Sequence, residues 1–256
     1  MSVNTYSKLV SRNYAFISDD LQSKIKTATL CFLGCGLGAN IALCATRMGF
    51  QHFVLCDDDF IEMENLNRQP YFYKVINMKK VTSLKEHILA INPEAEVTVV
   101  EERIKEASFD VDKLNADYYI NTIDWGSDYV KITDYLSKKQ KKTVINPMNI
   151  GFGSLVQTFT SASARFADII ENDAFEMENI VFKIIEKADL HLAPYIQNNK
   201  ARILEEIRNK TFEPQLSAAS NFTAAIVTTL LCKLLDQQPI TVAPEAIYLD
   251  LKEQLC

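Results

Sequence analysis

The feature that most constrains the fold is a short apolar run that ends abruptly at three closely spaced glycines. Residues Leu30–Leu33 are all apolar and too few for a helix, so they indicate a strand buried on both faces, as in a parallel sheet. The glycines that follow are three of only seven in the chain: Gly34, Gly36 and Gly38. Next comes a helical stretch, Ala39–Arg47, for which Gly49 is a suitable C-cap. The pattern predicts a strand, a tight turn and a helix packed on the sheet.

A second apolar run, Phe53–Cys56, ends at Asp57, so the order is strand, glycine turn, helix, strand and acidic residue. That order is typical of the dinucleotide-binding unit of α/β proteins. Glycines permit positive φ and let a phosphate approach the backbone, and the helix N-terminus offers it unpaired N–H groups. A carboxylate at the tip of the second strand suits ribose hydroxyls. Such turns also occur only to pack a helix on a strand, so the glycines by themselves leave nucleotide binding open. Asp57 favours nucleotide binding but does not identify the nucleotide.

Strands and helices continue to alternate as far as a strand at Thr143–Asn146. This alternation predicts an α/β fold built on a Rossmann-like, doubly wound and mostly parallel sheet. The pattern changes after Gly151, where Gly153–Thr160 has the character of an antiparallel strand. We therefore expect the sheet to carry an antiparallel C-terminal extension and an appended helical segment.

The C-terminal half is predicted to be mainly helical. Helices are indicated at Phe175–Leu192, Lys200–Lys210 and Phe222–Leu235, with a last strand at Ala246–Leu251. The third of these helices is apolar on most sides, which predicts burial in the core or against a second copy of the chain. The 256 residues are predicted to form one domain with three parts: a nucleotide-binding core at 27–160, a variable helical insertion at 161–213, and a C-terminal helix and strand at 214–256.

Composition narrows the class of protein. A net charge of −6 and a pI near 5.2 argue against nucleic acid as a general partner. The six cysteines include no Cys-x-x-Cys pair, so no zinc site is expected, and unpaired cysteines suit a reducing cytoplasm. No signal segment is evident at the N-terminus, and Phe222–Leu235 is too short to span a bilayer. We expect a cytoplasmic protein without a membrane partner.

The loop that follows Asp57 is dense in side chains that bind phosphate and metal. They are Asp59, Glu62, Asn65, Asn67, Arg68 and Gln69, with Lys80 further on. In an open α/β sheet the strand ends that precede such loops are where ligands bind. Arginine and lysine suit a polyphosphate, and carboxylates suit its metal. A solvated charged loop is the plain alternative, and a dehydrogenase is another, although the three histidines lie where packing or surface roles are typical.

A set of motifs at matching spacing resembles the ThiF/MoeB/HesA superfamily, the ubiquitin-activating-enzyme-like adenylyltransferases. The signature is Asp57–Gln69, and the matching positions around it are Arg12, Lys80, Ala90–Pro93 and Asn121–Asp124. The resemblance runs from about Arg12 to Phe159 and resumes at Pro214–Leu251. One departure is the glycine loop, which here is Gly-Cys-Gly-Leu-Gly, whereas the family commonly has Gly-x-Gly-Gly-x-Gly.

The resemblance implies ATP-dependent adenylation of a carboxyl group with release of pyrophosphate. The carboxyl group is typically the C-terminus of a small β-grasp carrier, either ubiquitin-like or a sulfur carrier. The implied roles are ribose binding by Asp57, with Asp59 as a nearby acid; phosphate binding by the glycine loop, Asn65, Arg68 and the catalytic Lys80; and Mg²⁺ binding by Asp124. Arg12 matches the arginine that reaches the partner subunit's active site, which implies a homodimer with ATP and Mg²⁺ in composite sites.

Two other functions remain open at this point. The glycine turn and acid are also compatible with an NAD- or FAD-binding oxidoreductase. The glycine loop, one residue shorter than the family's pattern, is compatible with a scaffold that binds a nucleotide and catalyses no reaction. The acceptor is not identified either, and residues 161–212 contain no cysteine that would match the thioester-forming cysteine of some relatives.

Overall fold

A seven-stranded sheet organises the protein. The computed structural model describes residues 5–105, 110, 114–170, 177–210 and 214–255. The strands are β1 (Thr29–Leu33), β2 (His52–Cys56), β3 (Glu96–Val100), β4 (Tyr118–Asn121), β5 (Thr143–Ile150), β6 (Gly153–Phe159) and β7 (Ile247–Asp250). Their order is β3-β2-β1-β4-β5-β6-β7. Strands β1 to β5 pair in parallel, whereas β6 is antiparallel to both β5 and β7. The predicted fold class is confirmed, including the antiparallel extension.

Helices cover both faces of this sheet. They are α1 (Thr5–Leu9), α2 (Asp19–Thr27), α3 (Leu37–Met48), α4 (Lys80–Ile91), α5 (Ser127–Asp134), α6 (Phe166–Ile169), α7 (Met177–Lys187), α8 (Pro194–Gln197), α9 (Lys200–Lys210), α10 (Ser217–Leu235) and α11 (Leu251–Gln254). Two 3₁₀ turns, Met63–Asn67 and Tyr73–Val75, lie between β2 and α4. The predicted C-cap of α3 is confirmed, because Gly49 adopts a left-handed conformation with φ of 104°.

The side chains of β1 show why its sequence is apolar at every position. Leu30 and Phe32 belong to one hydrophobic core, and Cys31 and Leu33 belong to the other. Alternate residues of a strand point to opposite faces, so a strand with helices above and below must be apolar throughout. The strand thereby places the start of its glycine turn at the carboxyl edge of the sheet.

Helix α10 is longer than the sequence pattern predicted. It begins at Ser217 rather than Phe222, so the expectation that this stretch is too short to span a bilayer is wrong: the helix has the length and apolar composition to do so. Its packing gives it another role, because it lies against α3, β5 and β6 and contributes Val227 and Leu231 to the core. The five residues that the prediction missed, Ser217–Asn221, are small or polar and therefore do not continue the apolar pattern.

Where it is described, the segment between β6 and α10 contains helices α6 to α9 joined by turns and non-helical residues, in keeping with the predicted helical segment. Phe175, where the first of the segment's predicted helices begins, lies outside the described residues, whereas α9 has the bounds predicted for the second, Lys200–Lys210. The prediction of a helix as far as Leu192 is wrong, because α7 ends at Lys187 and Asp189 adopts a positive φ of 50° that a helix cannot contain. The division of the chain into three parts stays a prediction.

Candidate active site

The glycine turn between β1 and α3 is shaped by close contact with the end of β4. Gly34 has φ of +93°, and a Cβ there would lie 2.6 Å from the carbonyl oxygen of Thr122. A Cβ on Gly38 would lie 2.9 Å from Oγ1 of the same threonine. That hydroxyl in turn donates to the carbonyl oxygens of Leu33 and Gly34. Two of the three glycines are therefore required by the packing of the protein itself.

Gly36 differs, because its neighbour is a side chain with an unused polar atom. It is the N-cap residue of α3, and a Cβ there would lie 3.1 Å from Nε2 of Gln69. The Oε1 atom of Gln69 is buried and has no hydrogen-bond partner among the described residues. An unsatisfied buried acceptor is costly. The loop, the helix N-terminus and this amide together fit a polar ligand such as a nucleotide. The sequence placed Gln69 in the polar loop after Asp57 but predicted no individual role for it.

Asp57 joins the tip of β2 to the glycine turn. Its Oδ2 accepts from the backbone N–H of Cys35 at 2.6 Å, and its Oδ1 accepts from that of Asp59 at 2.8 Å. Burial raises the pKa of the Asp57 carboxyl, while the Lys80 ammonium and the two N–H groups oppose that rise. Each carboxylate oxygen retains a second lone pair, so the group can still accept a hydrogen bond from a ribose hydroxyl.

Lys80 is a buried cation surrounded by acids. It is the first residue of α4, its side chain is 9% exposed, and its Nζ lies 2.7 Å from Oδ2 of Asp59, whose side chain is 60% exposed. Burial acts to lower the pKa of the Lys80 ammonium, but Asp57, Asp59 and Asp124 more than offset it and leave the pKa raised. The lysine is thus held in its charged form beside the glycine turn.

Asp124 lies just beyond the end of β4, on the same edge of the sheet. Its side chain is exposed, and its charge acts on Lys80. Among the described residues, Asp57, Asp58 and Asp59 bring carboxylate oxygens within 4.8 Å of one another, and Asp124 is not in that group. Mg²⁺ usually takes one or two protein carboxylates and completes its shell with water and substrate phosphates. An exposed carboxylate beside the lysine fits that manner of binding.

Hydrogen bonds to other parts of the chain hold the two other predicted phosphate ligands. Asn65 is buried, and its Oδ1 accepts from the backbone N–H of Glu62 at 3.0 Å, which caps the 3₁₀ turn. Arg68 follows that turn, and its Nε donates to Oε1 of Gln215 at 2.9 Å. Roles of both residues toward phosphate stay predictions. Gln215 is a contact that no sequence signal indicated.

Arg12 is remote from the other predicted site residues of its own chain. It is exposed, and the amide of the next residue, Asn13, donates to the carbonyl oxygen of Met48. Met48 is at the C-terminal end of α3, a helix of 12 residues and about 18 Å whose other end meets the glycine turn. The arginine therefore stands at the opposite end of α3 from Gly36.

Comparison with known proteins identifies the family. Residues 10–254 match the ThiF family. The chain belongs to the ThiF family. The glycine turn, the signature after β2 and the lysine that begins α4 are therefore features of a family member, and the resemblance inferred from the motifs is confirmed.

The chain matches only part of the length of each curated relative. The chain is 33% identical over 110 residues to a probable molybdopterin-synthase adenylyltransferase of Gracilaria tenuistipitata var. liui, which covers 42% of this chain and 31% of that protein. It is 27% identical over 126 residues to ubiquitin-like modifier-activating enzyme 5 of Caenorhabditis elegans, covering 48% and 28%. It is 30% identical over 122 residues to the tRNA threonylcarbamoyladenosine dehydratase of Bacillus subtilis (strain 168), covering 47% and 44%. Each match spans less than half of the relative.

Solved structures support the fold over the whole chain. E. coli MccB, crystallised with AMPCPP and SeMet MccA, superposes with a TM-score of 0.70 and 18% identity, covering 98% of this chain and 69% of that one. The structure of SeMet PaaA superposes with a TM-score of 0.70 and 19% identity, covering 98% and 81%. At these identities the likeness is one of fold.

Proposed function

We propose that the protein is an ATP-dependent adenylyltransferase that activates a carboxyl group. A carboxylate oxygen bonds to the α-phosphorus of ATP, the bond from that phosphorus to the pyrophosphate oxygen breaks, and pyrophosphate leaves with the electron pair. The products are an acyl-adenylate and pyrophosphate. The observation that carries the proposal is the buried, charged Lys80 beside Asp57 and the glycine turn. Names of relatives agree with it, since one is a molybdopterin-synthase adenylyltransferase and MccB has been crystallised with ATP.

Each site residue has a distinct task in this reaction. The N–H groups at the start of α3 would bind the phosphates of ATP, and Gly36 leaves room for a phosphate to approach the backbone. Asp57 holds the ribose. Lys80 and Arg68 offset the negative charge that passes to the departing pyrophosphate, and fixed charges of this kind stabilise a transition state without reorganisation of solvent. The reaction requires little more than such positioning, because the bond changes occur within ATP and the carboxylate.

A magnesium ion would be held by Asp124. Bound there, the ion would neutralise phosphate charge, which is its general role in phosphoryl and nucleotidyl transfer. Asp124 supplies one carboxylate at the edge of the sheet where the phosphates are expected. The position suits binding of a metal that arrives with its nucleotide.

The proposed acceptor is the C-terminus of a small protein of the β-grasp class, ubiquitin-like or sulfur-carrying. Relatives named for molybdopterin synthase and for a ubiquitin-like modifier support this class. The C-terminus of a peptide is a further candidate. ATP–pyrophosphate exchange with each acceptor class tests the proposal. We expect exchange that depends on one acceptor. Binding of NAD without binding of ATP would instead indicate an oxidoreductase, and ATP binding without exchange on any acceptor would indicate a scaffold.

We further propose a homodimer with composite sites, in which Arg12 of each chain reaches the ATP of its neighbour. The distance between Arg12 and its own glycine turn, and its place beside the exposed Tyr14 and Phe16, support this arrangement. Such sharing of residues follows from a two-fold interface. We also propose that the enzyme acts in the cytoplasm, because the described cysteines are free thiols, which suits a reducing compartment.

Mixing of two inactive variants tests the composite site. We expect Arg12→Ala and Lys80→Ala chains to recover about a quarter of wild-type activity after subunit exchange, because half of the dimers are mixed and each holds one intact site. A mixture of Lys80→Ala with Asp124→Ala is the matched control, since both residues belong to the same chain's site and no intact site forms. Activity is measured by pyrophosphate exchange. An Arg12 and Lys80 mixture that stays inactive after verified exchange would refute the composite site.

A further inference from the structure

Gln215 contacts the loop that carries Arg68 from a distant part of the chain. Its side-chain Oε1 accepts from Nε of Arg68 at 2.9 Å, and its backbone oxygen accepts from Nδ2 of Asn67 at 3.2 Å. We propose that Gln215 is a positioning residue that orients the Arg68 guanidinium toward the phosphates of ATP. The inference rests on the proposed function, in which Arg68 binds phosphate.

The contacts of Arg68 hold its guanidinium from two sides. Nε is bound to Gln215, and Nη1 donates to the carbonyl oxygen of Glu64 at 3.0 Å and to Oδ1 of Asn67 at 2.9 Å. A guanidinium is planar, so hydrogen bonds at Nε and Nη1 fix the direction of the whole group. The oxygens of Gln215, Glu64 and Asn67 are neutral amide and carbonyl acceptors, so these three contacts orient the guanidinium without forming an ion pair with it.

Helix α10 provides a rigid support for Gln215. The glutamine lies two positions before the first residue of that helix, Ser217. The first turns of α10 are bound to the end of β5, where Nδ2 of Asn149 donates to Oγ of Ser220 and its Oδ1 accepts from Oγ1 of Thr223, both at 2.8 Å. The helix also packs against α3, which begins at the glycine turn. The amide is therefore fixed to the elements that surround the nucleotide site.

The choice of glutamine has a chemical reason. A leucine of similar size would leave Nε of Arg68 without this acceptor. A glutamate would keep an acceptor, but it would form an ion pair that competes with phosphate for the same cation. Both substitutions are therefore expected to weaken phosphate binding, although only leucine removes the contact.

Binding of ATP and of adenosine to the full-length protein tests the inference. Adenosine lacks phosphate, so its affinity reports on the fold of the site and not on Arg68. We expect Gln215→Leu and Gln215→Glu to weaken ATP roughly three- to tenfold, with adenosine affinity and melting temperature unchanged. Asn221→Ala is the matched control, an exposed amide on the first turns of α10 that bonds only within its helix among the described contacts, and it should bind ATP as the wild type does.

Combining Gln215→Leu with Arg68→Ala distinguishes an effect through Arg68 from an effect on the fold of the whole site. Arg68→Ala should itself weaken ATP and not adenosine, and Gln215→Leu should cause no further loss in that background. Equal losses of ATP and adenosine, or full additivity with Arg68→Ala, would overturn the positioning role while the proposed function stands. A wild-type protein that binds ATP no better than adenosine would overturn the proposed function and this inference with it.

Discussion

Replacement of Lys80 by alanine is expected to lower the rate of adenylate formation by about two to three orders of magnitude, the range found when one charge-stabilising group is removed from a transition state. The side chain is 9% exposed and bonded to Asp59, so its charge acts in a region shielded from water. Its loss also removes the cation that opposes the raised pKa of Asp57. We expect the rate of the chemical step to fall far more than the stability of the fold, because the charge of Lys80 is proposed to act on the transition state.

The control for this prediction is another lysine of the same helix. Lys85→Ala removes a cation from α4 that lies further along the helix than Lys80, and it should leave the rate of pyrophosphate exchange unchanged. The melting temperature of Lys80→Ala should fall only slightly, because Asp59 is 60% exposed and remains solvated without its partner. An unchanged rate in Lys80→Ala would show that the site has been misplaced.

Asp124→Ala is expected to abolish metal-dependent adenylation. The carboxylate is exposed beyond the end of β4, where it contributes little to packing, and that strand contains no other carboxylate. Activity is measured as pyrophosphate exchange over a titration of Mg²⁺. The melting temperature should stay close to that of the wild type, which separates loss of the metal ligand from loss of the fold.

Two further variants sharpen the test of Asp124. Asp124→Asn keeps the size of the side chain but offers a neutral and weaker ligand, so it should be nearly as inactive as the alanine variant. Asp128→Ala removes a carboxylate from the first turn of α5, the next helix, and should retain activity. Full exchange by Asp124→Ala at saturating Mg²⁺ would exclude the proposed metal ligand.

The parts of the fold that sequence predicts best are those where one physical constraint acts alone. Strands buried on both faces must be apolar throughout, so β1 and β2 were placed within one residue of their observed bounds. Gly34 was predictable as a turn because a positive φ favours glycine, and Gly49 for the same reason. Lys80, which the family signature singled out, is the first residue of α4.

Other features depend on contacts between residues far apart in the chain. The bond between Arg68 and Gln215 joins positions separated by 147 residues, and a glutamine carries no periodic or positional signal. The same is true of the close approach of Thr122 to two glycines, which gives them a packing role besides any role in nucleotide binding. The length of α10 was underestimated because its first residues are small and polar, although its apolar face packs on α3.

Transfer of labelled AMP to a carboxyl group tests the central claim most directly. The wild-type protein is mixed with ATP labelled at the α-phosphorus, Mg²⁺ and a β-grasp protein with a free C-terminus, and the acceptor is examined by intact mass and by label. We predict an acceptor–AMP adduct that releases a hydroxamate with hydroxylamine, carries the label of the α-phosphorus but not that of the γ-phosphorus, and forms about two to three orders of magnitude more slowly with Lys80→Ala. Bound ATP with no AMP adduct on any carrier or peptide acceptor would contradict the account.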